Sequence, residues 1–196
     1  MKRFMLVLFV LAGAWARAEE INSDVIHNYN FLALRYGYEP DAVGSSDANG
    51  GIVELSADVK NIIFDVSASY AVANTSPELN LWNLTGTVGY AIRLLENRVN
   101  IIPRIGGGYY EADASGLSAS TTTIEPGLAA SFAFNNWLSI GAAYRYVYAT
   151  DTETHVNDFS VGPQVALGKK IGFDFRVDFN DHGGFSGVEA GFSFHY

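Results

Sequence analysis

The sequence predicts an all-β protein, a closed antiparallel up-and-down transmembrane β-barrel of ten strands, and three observations predict it. Ten stretches alternate apolar and polar residues with a period of two, so each strand turns one face to an apolar medium. No helical periodicity follows the first eighteen residues, and no later run approaches the ~20 apolar residues of a spanning helix. The connections alternate short and long, and ten is even, as single-chain bacterial barrels require. Lipid offers backbone groups no partner, so a chain without a spanning helix crosses a bilayer only as a closed barrel. Miscounting one hairpin would make eight strands the alternative.

The 196 residues fit a signal segment, 1–18, and one domain, 19–196. Lys2 and Arg3 precede an apolar run from Phe4 to Trp15, and Ala16-Arg17-Ala18 is a small-x-small cleavage site. Losing Lys2, Arg3 and Arg17 takes the net charge from −9 to −12, which disfavours nucleic acid or bare anionic lipid as a partner. The absence of cysteine argues against a disulfide-stapled secreted module. Twenty glycines, 14% aromatic and only 17% charged residues suit tightly paired strands with aromatic girdles.

In chain order, the first strand spans roughly Tyr29 to Tyr38, with Leu32, Leu34, Tyr36 and Tyr38 opposing Ala33, Arg35 and Gly37. The second sets Val53, Leu55, Ala57 and Val59 against Glu54, Ser56, Asp58 and Lys60, and the tight turn Lys60-Asn61 leads into the third. There Phe64, Val66, Ala68, Tyr70 and Val72 alternate with Asp65, Ser67, Ser69 and Ala71. The fourth turns out Trp82, Leu84, Val88, Tyr90 and Ile92; the fifth, Val99, Ile101, Pro103, Ile105 and Tyr109. The sixth does so with Ile124, Pro126, Leu128, Ala130, Phe132 and Phe134, and the seventh with Leu138, Ile140, Ala142, Tyr144, Tyr146 and Tyr148. Phe159, Val161, Pro163, Val165 and Leu167 mark the eighth, and Phe173, Phe175, Val177 and Phe179 the ninth.

Short connections are expected at Lys60-Asn61, Leu94 to Arg98, Asn135-Asn136 and Gly168 to Lys170. Longer, mostly acidic loops are expected over Glu39 to Gly51, Asn74 to Asn80, Glu111 to Thr121, Ala149 to Asp158 and Asn180 to Gly184. Pro103, Pro126 and Pro163 fall inside strands in the apolar phase, which suggests bulges or positions near the rim.

The tenth strand closes the chain. From Gly187 onward, Val188, Ala190, Phe192, Phe194 and Tyr196 share one face, against Gly187, Glu189, Gly191, Ser193 and His195. An unpaired strand with such a face invites aggregation, so it needs a partner, and the first strand is the one available. Gly191, Phe194 and the terminal Tyr196 resemble the C-terminal assembly signal of bacterial outer-membrane barrels. With Ile102 to Tyr109 and Ala143 to Tyr146, this makes the chain similar to the small outer-membrane, porin-like β-barrel proteins of Gram-negative bacteria. The resemblance implies an outer-membrane location and recognition by the barrel-assembly machinery. The alternating short and long connections put both termini in the periplasm and the long loops outside, where loop carboxylates are expected to meet lipopolysaccharide phosphates through divalent cations, and a monomer is expected. The resemblance implies no single activity.

The polar faces gather Arg35, Glu54, Asp58, Asp65, Arg93, Arg104, Glu125, Arg145, Asp174, Arg176, Asp178 and Glu189, with both signs present. In so narrow a barrel they are expected to form a packed lumen of ion pairs, and a thin pore for small solutes is the alternative. The chain is thus expected to serve envelope integrity or surface interaction, without cofactor, metal or catalysis. His155 and His182 stand near loop carboxylates, where imidazole and carboxylate together can hold a metal or exchange protons. Two enzyme families built on such barrels set the remaining alternative. Omptin-like proteolysis finds half a site in Asp181-His182, and lipid A deacylase-like hydrolysis finds His182, Ser186 and Glu189, with Ser186 in the wrong phase unless a bulge intervenes at Gly183-Gly184.

Overall fold

The computed structural model describes residues 26–43, 46–181 and 184–196; the expected signal segment and His182 lie outside them. The strands are β1 (Phe31–Val43), β2 (Ser46–Val59), β3 (Ile62–Ala73), β4 (Leu79–Tyr90), β5 (Ile92–Leu94), β6 (Val99–Ala114), β7 (Leu117–Ala133), β8 (Leu138–Ala149), β9 (Thr154–Ala166), β10 (Ile171–Asn180) and β11 (Gly184–His195). Sequence neighbours pair antiparallel except β4 and β5, β4 pairs instead with β6, and β11 pairs with β1, so ten strands close a ring. Tripeptide β5 is outside the ring and pairs with β6 alone. It keeps the register β4 holds with that strand, Gly89 opposite Arg104 and Ile92 opposite Ile101, and so prolongs β4 past Ala91. Followed once round, the registers return to β1 displaced by about 12 residues, the kind of stagger that tilts barrel strands by ~35–45°.

Side-chain phase follows the alternation. Leu34, Tyr36, Val53, Phe64, Trp82, Leu84, Ile105, Leu128, Phe159 and Phe192 point outward and exposed, while Ala33, Arg35, Ser56, Thr85, Asn100, Glu125, Asp174 and Ser193 are buried inward. This polarity is the reverse of a water-soluble barrel's.

Three expectations need correction. The prolines do not cause bulges. Each lacks the N–H that its neighbour's carbonyl needs, so the ladder skips it on one side while the register is kept. The gaps fall at Pro103 against β4, at Pro126 against β8 and at Pro163 against β10. Beside the last, Gly162 lets the strands close up: a Cβ there would fall 1.7 Å from the Phe175 carbonyl oxygen. The register shifts lie elsewhere, between Glu39 and Val43 and at Asp178/Phe179, where Ser186 is the extra residue. Second, three of the five expected long loops, Glu39 to Gly51, Glu111 to Thr121 and Ala149 to Asp158, are largely strand. Glu111–Ala114 pairs with Leu117–Ser120 around a Ser115-Gly116 turn of positive φ, and β1 and β2 run on toward 44–45. Beyond the apolar band both faces of a hairpin are wet, so the alternation fades although the backbone still pairs. Third, Tyr29 is not in the first strand.

The seam between β11 and β1 is continuous from Phe31 opposite His195 to Tyr38 opposite Val188. Tyr196 extends it: its N–H donates to the Asn30 carbonyl and its hydroxyl to the Ser56 carbonyl of β2, 3.1 and 3.0 Å away. Gly191 is required for the close approach, because a Cβ would stand 2.1 Å from the Leu34 carbonyl oxygen and 2.6 Å from Arg35 Cα. Gly191→Ala is expected to cost about 1–3 kcal/mol, read as a lower urea midpoint for the heat-modifiable gel shift. Gly51→Ala, where a Cβ meets nothing within 4 Å, should leave that midpoint unchanged.

Candidate functional site

The bore holds the charged residues of the polar phase. The end where β1 starts and β11 finishes is here the terminal end, and the other the far end. Arg35, at the β11 seam, pairs with Glu54 of the adjacent β2 and, across β11, with Asp174 of β10. Arg176 stands 3.9 Å from each of those carboxylates. Toward the far end Glu125, 1% exposed, accepts from Thr123 Oγ1 at 2.5 Å, the Tyr110 hydroxyl at 3.0 Å and Arg145 Nη1 at 3.3 Å. Arg145 also donates to Asp158 at 2.7 Å. At the terminal end Arg93 pairs with Asp58 and donates to Asn61.

Arg104, Asp65, Asp178 and Glu189 are on the same inward phase but make no ion pair within 4.0 Å among the described residues. Asp65 accepts from Thr87 Oγ1 at 3.1 Å. Sequence reasoning gathered these groups by phase but could not say which would touch, because pairing depends on stagger as well as phase. Asp158, an Arg145 partner, lies in β9 rather than in the expected loop, past the point where the alternation fades.

Beside the Arg35 cluster lies a cavity of about 220 Å³. Arg35, Glu54, Asp65, Arg104, Asp174 and Arg176 form a charged wall of it, and β8 and β9 add an adjoining wall of Ser139, Gly141, Ser160, Gly162 and Gln164. The small side chains of that wall leave the room that the charged wall does not fill. Asp174 Oδ2 is buried there without a hydrogen-bond partner among the described residues.

At the terminal end the cavity meets His27, Asn28 and Tyr29, which the sequence did not mark as a site. Burial lowers the His27 pKa from its usual 6.5, against the raising effect of its bond to the Asn97 carbonyl, and Arg93 lowers it further. The ring is therefore neutral at pH 7 and donates from Nδ1 to that carbonyl. A usable signal existed in the sequence: Tyr29, Ile63 and Ile102 are large apolar side chains in the polar phase.

The histidine and serine candidates do not converge among the described residues. His155 stacks on Tyr146 with ring centroids 5.6 Å apart, on the outward phase. Ser186 occupies the bulge, Glu189 lies inward three residues on, and His182 is outside the described residues. No group of three or more His, Asp or Glu suited to a metal occurs among the described residues.

No protein-family model matches the chain, and no curated relative matches it. Solved structures do. The β-domain of the Bordetella autotransporter BrkA is 10% identical over 85% of this chain and 99% of its own, with a TM-score of 0.52. The KdgM porin, solved in complex with disordered oligogalacturonate, is 10% identical over the same shares, with a TM-score of 0.50. The NanC porin is 12% identical over 84% of this chain and 98% of its own, with a TM-score of 0.47. At this identity the likeness is one of fold alone: a closed antiparallel β-barrel, as in the KdgM porin and the BrkA β-domain.

Removing Glu125 leaves Arg145 with Asp158 alone and takes the acceptor from two hydroxyls. Glu125→Ala is expected to lower unfolding stability by about 2–3 kcal/mol, less than the ~3–5 of a fully buried pair because Arg145 is a third open to water. Glu125→Gln, which still accepts from Tyr110 and Thr123, should lose less; urea titration of gel mobility separates the two.

Proposed function

We propose that this is an outer-membrane barrel of structural or surface-interacting role, with a bore too occluded to conduct appreciably and no catalytic activity. The observation that carries the reading is that most of the bore's charges are spent on one another: Arg35 pairs with Glu54 and Asp174, Arg93 with Asp58, and Arg145 with Glu125 and Asp158. A channel for charged solutes needs groups that bind and release, whereas ion pairs packed across a narrow lumen hold the wall together.

The terminal end faces the periplasm in this reading, and the far end faces outward. Lys60, Arg98, Lys169 and Lys170 then lie on the periplasmic side. The outward tips carry Asp41, Asp47, Glu78, Glu111, Asp113, Asp151, Glu153 and Asp181 and no lysine or arginine. Their contact with lipopolysaccharide phosphates runs through divalent cations, and the protein contributes to envelope integrity in that way. The barrel-assembly machinery inserts it by way of the terminal strand.

A second reading, a narrow pore for small solutes, is favoured by the 220 Å³ cavity beside the Arg35 cluster. The KdgM neighbour is a porin seen with an oligogalacturonate, but the shared fold does not carry that ligand over. Planar-bilayer recording of the purified protein decides between them. The occluded reading expects no reproducible single-channel steps; stable steps of uniform size would replace it with the pore.

A further inference from the structure

Before β1 begins, the chain leaves the wall. Tyr29 points across the bore, where its hydroxyl meets Asn100 Nδ2 of β6 at 3.1 Å and Ser131 Oγ of β7 at 3.3 Å. In the ten-strand ring β7 stands opposite β1, so Ile26–Asn30 spans the mouth from one side to the other. His27, 8% exposed, anchors the leading end to the Asn97 carbonyl in the turn before β6.

The receiving surface is built for this. Ile63, Ala91 and Ile102 form an apolar cluster on the inward phase, beside the polar and charged groups of the bore, and Tyr29 packs against them. Apolar side chains facing a water-filled lumen would gain nothing; under an aromatic ring they are a seat. The near end is pinned as firmly: His195 Nδ1 donates to the Asn28 carbonyl, and Asn30 Oδ1 accepts from the Asp58 amide. The same strap forms the terminal-end lining of the charged cavity.

We propose that Ile26–Asn30 is a plug seated in the terminal-end mouth of the bore, locked by Tyr29, and that it closes the terminal-end way into the cavity behind it. The occluded-bore reading concerns conduction along the whole lumen; the plug concerns access from one end. A thiol reaction rate, which needs no conductance, tests the plug separately.

The chain has no cysteine, so Ser139→Cys introduces a single thiol. Ser139 is 3% exposed and lines the cavity together with Tyr29. Its reaction with a charged methanethiosulfonate reagent is measured on folded, detergent-solubilised protein, with folding verified by heat-modifiable mobility. The plug predicts a slow reaction that Tyr29→Ala accelerates about tenfold or more. Tyr29→Phe keeps the ring in its seat but drops both hydroxyl bonds, and should accelerate it less. If Tyr29→Ala does not fold, the Tyr29→Phe comparison carries the test. Equal rates with and without the substitution overturn the plug. So does a Ser139→Cys thiol that, with Tyr29 intact, reacts as fast as one at Leu117→Cys, an exposed hairpin position.

Discussion

Every feature of this molecule depends on the requirement that backbone donors and acceptors be paired within the wall, because the lipid outside will not pair with them. An open sheet would leave two edges unsatisfied, so the first and last strands must meet, and the chain is shaped for that meeting. Gly191 removes the one Cβ that would hold β11 away from Leu34. Tyr196, the last residue, ties the seam beyond β1 to the carbonyl of Ser56 on β2. Arg35 stands on the same seam and reaches a carboxylate on each side of it, so the ladder and the ion pairs close the barrel at one place. Loss of either would leave the other under strain.

The same requirement explains how much could be read in advance. Strand number and facing were legible because each rests on a contrast the medium enforces: Leu34 against Arg35, Val53 against Glu54, Phe173 against Asp174. Strand length was not, since Glu111–Ala114 and Ser118–Thr121 lie past the apolar band and carry no contrast, yet pair without a break. The members of the charged interior were legible by phase and their partners were not. Arg145 meets Asp158 because of the register between β8 and β9, a quantity that alternation does not encode.

Tyr29 shows a different limit. Its place just ahead of an alternating run made it look like more of the same strand, and only its company with Ile63 and Ile102 marks it as something else. A polar-phase position filled by a large apolar side chain is a conflict between local pattern and global fold. Such conflicts collect where a chain does something besides build its scaffold. Here three of them, distant in sequence, meet at one end of the bore.

The prolines have a mechanical meaning beyond their missing hydrogen bonds. Their gaps fall between β4 and β6, β7 and β8, and β9 and β10, while the β6–β7 and β8–β9 ladders run without interruption. Part of the wall is therefore a row of stiff double staves joined by softer joints. When membrane tension or a neighbouring protein presses on such a cylinder, the cross-section yields by turning at those joints, and each pair of strands keeps its shape.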